Sequence, residues 1–202
     1  MALSVPVAVV AAIGGASRSG ILVKGGIALE ALGGVEAVAL DKTGTLTRNE
    51  PRVIEVVTVP GTTREEVLEA AAAVEARSEH PLAAAIVAAA PRLVPSANTT
   101  AVAGSGLTGT VGDRAVRVGR PGYVPIDGLA EHVARLQAAG ATTVAVEVDG
   151  RTAGLIAVRD ELRAEAPEAV ADLHRMGLDV SMLTGDNLLT AQALAASFAG
   201  YL

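Results

Sequence analysis

The chain has 202 residues, enough for one large domain or two small ones. Its net charge of −6 argues against a nucleic-acid surface, and the absence of cysteine excludes disulfides, zinc knuckles and thiol catalysis. Half the residues are hydrophobic but only 1% are aromatic, so alanine, valine and leucine must build the core; with three histidines, any metal site would lean on carboxylates.

Residues 1–15 (MALSVPVAVVAAIGG) are apolar and uncharged. The run is shorter than the ~20 residues that span a bilayer, and no basic residue precedes it as a signal peptide requires. Arg18 and Lys24 follow it, as basic residues do on the cytoplasmic side of a span. Residues 1–15 therefore read as the end of a membrane helix or, taken alone, as a buried soluble helix. Residues 16–34 read as a cytoplasmic connector, broken at Gly25–Gly26 and closed by Gly33–Gly34. Residues 35–40 (VEAVAL) have the length and apolarity of a buried parallel strand and run straight into the polar stretch D-K-T-G-T-L-T.

The style then changes. Residues 53–59 (VIEVVTV) are strand-like. Thr62 or Thr63 opens a helix, with Glu65 and Glu66 placed for a capping box, that runs to about Arg77. Pro81 suits the first turn of a second helix, continuing through the alanines to Ala90. Over residues 99–118 short strands alternate with glycine turns, and residues 129–139 form a helix closed by Gly140. Asp149–Gly150 between two apolar runs, 143–148 and 152–158, is a strong hairpin signal. Residues 48–159 thus read as a small inserted α+β domain with an antiparallel sheet. The α/β style returns with a helix over 165–176, a second apolar strand over 178–183 that ends in T-G-D, and a helix over 188–199. One α/β domain, residues 35–47 and 160–202, is interrupted by another.

The strongest chemical signal is Asp41-Lys42-Thr43-Gly44-Thr45-Leu46-Thr47 at the carboxyl end of a strand, where open α/β sheets bind ligands. A carboxylate there can attack the γ-phosphate of ATP and form an aspartyl phosphate. The reaction needs cations and N–H donors around the equatorial oxygens. Lys42 can supply charge, Gly44 permits the tight turn, and Thr45 offers a hydroxyl. Asp41 and the carbonyl of Thr43 can ligate Mg²⁺, a hard cation that prefers oxygen. Gly104, Gly106 and Gly109 spell G-x-G-x-x-G, but strands and a turn follow instead of a helix, so the dinucleotide reading fails. Close approach of the main chain to a nucleotide remains for Gly104 and Gly106, with an ordinary glycine turn as the alternative for Gly109. Thr184 can donate to a phosphate, and the helix N-terminus after it favours anions. Asp186 suits positioning or capping better than nucleophilic attack.

The motif D-K-T-G-T-L-T resembles the phosphorylation motif of P-type ATPases, within the haloacid dehalogenase-like superfamily. The connector I-L-V-K-G-G-I-A-L-E resembles the stretch before it in the heavy-metal branch. Ser78-Glu79-His80-Pro81-Leu82 resembles that branch's His-Pro motif, Gly104 to Gly109 its glycine motif, and Asp160-Glu-Leu-Arg163 and Thr184-Gly185-Asp186 its hinge and second phosphate motifs. The resemblance covers essentially the whole chain, in order. It implies a Rossmann-like phosphorylation domain, incomplete here, with an inserted nucleotide-binding domain. It further implies ATP and Mg²⁺ as cofactors and Asp41 as the phosphorylated nucleophile. In the inserted domain, Glu75, His80, Pro81, Gly104 and Gly106 fall at the adenine. The implied activity is ATP-driven transport of a heavy-metal cation across the cell membrane, most of this chain being cytoplasmic. The cation would be bound by membrane segments outside these residues, and residues 2–10 lean toward zinc, cadmium or cobalt over copper. A further phosphate-site lysine and a G-D-G-x-N-D motif are expected after Leu202, so the stretch alone is expected to be inactive. Two readings compete: a soluble phosphatase of the same superfamily, and an inactive nucleotide-binding remnant. Such phosphatases carry an acid two positions after the nucleophile; here that position is Thr43, a poor proton donor that lets a phosphoenzyme persist.

Overall fold

The computed structural model describes residues 4–185 and 188–198, which divide into two compact units. The first contains helix α1 (Ser4–Arg18), helix α2 (Gly26–Gly33) and most of the paired strands β1 (Ala37–Asp41) and β8 (Asp179–Leu183). Gly25, at φ +93, forms the N-cap of α2, and Gly34 ends it. No helix among the described residues is long and apolar enough to cross a membrane. β1 and β8 are parallel, and the Asp179 N–H donates to the Glu36 carbonyl at 2.9 Å. The sequence predicts both as strands but reads β1 as buried, which it is not. Both strands alternate between exposed and half-buried positions, and α2 buries no residue. Continuous apolar runs stay dry only when layers cover both faces of a sheet, and this sheet has two strands among the described residues.

The second unit is built on a six-stranded antiparallel sheet, ordered β2 (Arg52–Thr58), β7 (Arg151–Arg159), β6 (Thr142–Val148), β5 (Arg114–Gly119), β4 (Gly106–Val111), β3 (Ser96–Val102). Alternation along the strands sorts the core onto two faces. On one, α3 (Arg64–Glu75) and α4 (Pro81–Ala89) bury Val67, Leu68, Val74 and Ile86 against Val118, Val146, Ile156 and Val158. On the other, α5 (Ala130–Ala138) and the loop before it pack Val124, Leu129 and Val133 on Ala145 and Leu155. Covered on both faces, β7 is buried along its whole interior. Each fully buried Leu68, Ile86 or Ile156 stabilises the fold by about 1.5–3 kcal/mol. Among the described residues, no aromatic ring belongs to the larger cluster.

Local chemistry sets the boundaries. The Thr63 side chain accepts from the Glu66 N–H at 3.2 Å and the Glu66 carboxylate accepts from the Thr63 N–H at 2.8 Å, a complete capping box. Pro81 occupies the first turn of α4. Asp149 and Gly150 both take positive φ, 52° and 75°, the requirement of a two-residue hairpin turn that matches strand twist. The Asp149 carboxylate also accepts from the Ala115 N–H at 2.9 Å, tying the hairpin to β5. Arg52 on β2 stands opposite Arg159 on β7, so the chain enters and leaves this sheet side by side. Beyond it come α6 (Ala166–Arg175) and α7 (Leu188–Ala196), with the Thr190 hydroxyl donating to the Ala141 carbonyl at 3.3 Å.

Candidate functional site

Asp41 is the last residue of β1, and its side chain is exposed and makes no capping hydrogen bond. The chain then makes a wide turn over Lys42–Leu46, with Thr43 extended at φ −77°, ψ 119° and Gly44 left-handed at φ 79°. A Cβ on Gly44 would find its nearest neighbour, Asn49, at 3.8 Å, so backbone conformation and not space demands glycine. Leu46 and Thr47 are buried while Asp41, Thr43 and Thr45 remain exposed.

The turn is braced from a distant segment. The Thr47 hydroxyl donates to Asp160 Oδ2 at 2.5 Å and accepts the Gly44 N–H at 3.2 Å. Asp160 Oδ1 takes the Glu50 N–H at 3.0 Å. Arg163 donates to the Thr47 carbonyl at 3.1 Å and the Gly44 carbonyl at 3.3 Å. The Arg48 N–H meets the Glu161 carbonyl at 3.0 Å. Residues 160–163 therefore hold the turn through side chains and backbone together. Sequence reasoning named this stretch but gave its residues no roles; an acid and a base flanking two residues directly after an apolar strand was the available signal.

The parallel pairing of β1 and β8 brings Thr184 and Gly185 to the same end as Asp41. Thr184 is half-buried and Gly185 exposed; Asp186 lies outside the described residues. Lys42 lines a cleft of about 360 Å³ with Leu82, Asp160, Thr190 and Leu194. Among the described residues no group of three or more His, Asp or Glu converges on a metal position. Mg²⁺ keeps several waters and needs only one or two protein carboxylates; the exposed Asp41 carboxylate, with the carbonyl of exposed Thr43 two residues on, offers oxygen donors of that kind.

A second cluster stands at the end of α3. Glu75 is buried, and burial pushes its carboxyl above the usual carboxylate range while a hydrogen bond from the Ser78 side chain opposes the shift. The Ser78 oxygen also accepts the His80 N–H at 3.2 Å. His80 Nδ1 in turn accepts the Leu82 N–H at 3.2 Å, making His80 the N-cap of α4 with Pro81 next. With Nδ1 an acceptor, the proton of the neutral ring sits on Nε2. The helix-entry role is thus met by one ring nitrogen, and the other remains available on an exposed residue.

The glycine turn connects β3 to β4. Gly104 takes φ +65°, with nothing within 4 Å of a Cβ position. Gly106 differs: a Cβ there would lie 2.1 Å from the Val118 carbonyl oxygen and 2.6 Å from Gly119 Cα. The neighbouring strand itself demands glycine at 106, a reason the expectation of a ligand approach did not include. Gly109 stands inside β4 instead of at a turn, where a Cβ would meet Val74 at 3.3 Å. Arg120 Nε donates to the Gly104 carbonyl at 3.0 Å and its N–H to the Ser105 carbonyl at 3.0 Å. Tyr123 packs where a Gly119 Cβ would stand and receives the Arg117 guanidinium over its ring at 5.6 Å. Arg120 and Gly119 lie outside the glycine motif read in the sequence; only β4–β5 pairing reveals that they hold it.

A family model for haloacid dehalogenase-like hydrolases matches residues 35–202. The chain is 60% identical over 196 residues to the "Probable cation-transporting ATPase G" of Mycobacterium tuberculosis, a match covering 97% of this chain and 25% of that one. It is 44% identical over 200 residues to a copper-exporting P-type ATPase of Mycobacterium leprae, covering 97% and 26%. Among solved structures, a zinc-transporting PIB-type ATPase superimposes with a TM-score of 0.75 at 39% identity, covering 98% of this chain and 33% of that one. The chain spans about a quarter of the length of the curated relatives it matches.

Proposed function

The chain belongs to the haloacid dehalogenase-like hydrolase family, and from that premise we propose that it is the ATP-binding, phosphoryl-accepting part of a heavy-metal-transporting P-type ATPase. The observation that carries the proposal is the D-K-T-G-T-L-T turn at the end of β1, with an exposed carboxylate at its start and its second half buried and braced by Asp160 and Arg163.

In this reading a carboxylate oxygen of Asp41 attacks the γ-phosphorus of ATP in line with the leaving oxygen. The bond to Asp41 forms as the bond to ADP breaks, and the electron pair departs with ADP. Water later attacks the phosphorus, returning the carboxylate and releasing inorganic phosphate. Mg²⁺, held by Asp41 and the Thr43 carbonyl, would neutralise charge on the phosphate oxygens. Lys42, Thr45, Thr184 and the Gly185 backbone would supply the remaining cation and donors, with Asp186 positioning the site. Thr43 in place of an acid leaves departure of the phosphate without an efficient proton donor, which favours a pump over a phosphatase. Adenine would be held at Glu75, His80–Pro81 and the turn at Gly104 and Gly106. In the full-length protein the cation would be bound by membrane segments, with these residues at the cytoplasmic face of the cell membrane. The relatives' names include both copper and zinc pumps, so the cargo is proposed at the level of a heavy-metal cation.

The test is phosphorylation of the full-length protein by radiolabelled ATP. An acid-stable, hydroxylamine-labile phosphoenzyme is expected, and Asp41→Asn should abolish it because an amide is a poor nucleophile. Undiminished labelling of that variant would refute the assignment.

A further inference from the structure

We propose that Thr190 is a positioning residue for phosphoryl transfer from ATP, its buried hydroxyl fastening α7 to the turn between α5 and β6. The inference rests on the phosphoryl-transfer reading of the Asp41 turn and adds to it a residue outside the motifs read in the sequence.

The acceptor for Thr190 is set by how α5 ends. Gly140 follows the C-cap Ala139 and takes φ +77°. The Gly140 N–H donates to the Gln137 carbonyl at 2.9 Å, and the Ala141 N–H returns to the Leu136 carbonyl at 3.0 Å. These two bonds are the Schellman pattern, and the buried Leu136 and Ala141 share a cluster as that pattern favours. The motif fixes the residue whose carbonyl, that of Ala141, accepts from the Thr190 hydroxyl at 3.3 Å. A helical threonine commonly returns its proton to a carbonyl one turn back. This one is only 3% exposed and reaches a carbonyl 49 residues away. By their spacing, Thr190, Ala193 and Leu194 lie on one face of α7. That face lines the cleft shared with Gly140, Lys42 and Asp160.

All these groups belong to the second compact unit. α7 begins three residues after Gly185, so the bond joins the chain that leaves the Thr184–Gly185 phosphate motif to α5, which packs Val133 on Ala145 and Leu155 of the six-stranded sheet. Thr184 does not need this bond to stand at the same end as Asp41, because it directly follows β8, the partner of β1. What the bond adds is a link from that motif to the sheet whose helices and turns are proposed to hold the adenine. In transfer from ATP the γ-phosphorus must arrive in line with Asp41 while the rest of the nucleotide is held elsewhere, and small misplacements there cost rate. The reverse of the hydrolysis step, in which a carboxylate oxygen of Asp41 displaces water from inorganic phosphate, forms the same aspartyl phosphate. It involves no nucleotide and needs no such link.

The experiment measures labelling of the full-length protein from radiolabelled ATP and, separately, from radiolabelled inorganic phosphate, with Thr190→Val and Thr190→Ser as variants. Valine keeps the shape and removes the donor. Thr190→Val should lower the maximal rate of labelling from ATP about threefold to tenfold, the worth of one hydrogen bond. The half-saturating ATP concentration and labelling from inorganic phosphate should not change. Thr190→Ser keeps the hydroxyl and should restore the rate. Equal loss from both donors would reduce Thr190 to a structural residue and overturn the proposal. Unchanged labelling from ATP would overturn it too, as would a serine variant as slow as the valine one. Wild type labelled from neither donor would overturn the phosphoryl-transfer reading itself, and this inference with it.

Discussion

Gly106→Ala separates two explanations of a glycine motif, because the structure assigns its two glycines different physical burdens. At Gly106 the added methyl carbon would stand 2.1 Å from the Val118 carbonyl oxygen and 2.6 Å from Gly119 Cα. Both are backbone atoms of the paired strand, so no side chain can swing aside. Overpacking of this kind costs about 1–3 kcal/mol, and a φ of +156° adds about 1–3 kcal/mol for any residue with a Cβ. Partial separation of β4 from β5 relieves some of each, which leaves a net loss of about 3 kcal/mol. With a urea slope of about 2 kcal/mol per molar, the midpoint should fall by about 1.5 M. Gly104→Ala meets nothing within 4 Å and carries only the strain of φ +65°, about 1 kcal/mol or a 0.5 M shift. The assay is equilibrium urea unfolding of the 202-residue chain, followed by far-ultraviolet circular dichroism. Gly106→Ala unfolding at the wild-type midpoint, or equal shifts for the two variants, would refute the close approach of β4 and β5 as the reason for Gly106.

Two further outcomes follow from buried or braced carboxylates. Burial raises the Glu75 pKa above its unfolded value, so the folded state binds that proton more tightly and stability is lost as pH rises through the folded pKa. Glu75→Gln should therefore raise the urea midpoint at pH 7 and leave it unchanged at about pH 4, close to the unfolded pKa; a lower midpoint for the variant at pH 7 would contradict the burial argument. Asp160→Ala and Thr47→Val each break the 2.5 Å bond that fastens the Asp41 turn. A double-mutant cycle should return a coupling of about 1.5–3 kcal/mol, the range for a bond to a charged group, whereas simple additivity would show that the contact does not hold the turn.

Much of the fold was legible because short-range chemistry agreed with long-range packing. The pairs Thr63–Glu66 and Asp149–Gly150 announced a helix start and a hairpin that the structure contains, and Pro81 sits where a missing N–H does no harm. Boundaries slipped where side chains and not propensity decide them. α3 stops at Glu75, whose carbonyl accepts the Ser78 N–H at 2.8 Å, a turn invisible in a run that still reads as helical to Arg77. β3 begins at Ser96, three residues before the strands read in the sequence, and the Ser96 hydroxyl donates to the Ala73 carbonyl at 2.5 Å. The burial of β1 was misread because an apolar run reports the capacity for burial, and only neighbouring layers realise it. In the candidate site the turn was legible as a motif. The roles of Asp160 and Arg163, 110 to 119 residues away from the groups they hold, depended on tertiary contact.

The contrast between the two halves of the Asp41 turn bears on how such a site can work. A nucleophile needs access, and a transfer reaction needs its donors fixed before the substrate arrives, because reorganising dipoles during the reaction consumes the catalytic advantage. Covering the whole turn would fix it but close off Asp41; exposing the whole turn would do the reverse. Here the division falls within seven residues. Asp41, Thr43 and Thr45 stay exposed, while Leu46 and Thr47 are buried and anchored. The anchor comes from residues 160–163, which follow directly on β7, so the chain leaving the six-stranded sheet is the same chain that holds the turn. Arg52 and Arg159 stand opposite each other where the chain enters and leaves that sheet, and Glu50, bound to Asp160, lies immediately before. The Thr47–Asp160–Glu50 bonds, together with those of Arg163 and Glu161, join the turn to the chain at the edge of that sheet. The same three groups that brace the Asp41 turn therefore also tie it to the end of the six-stranded sheet.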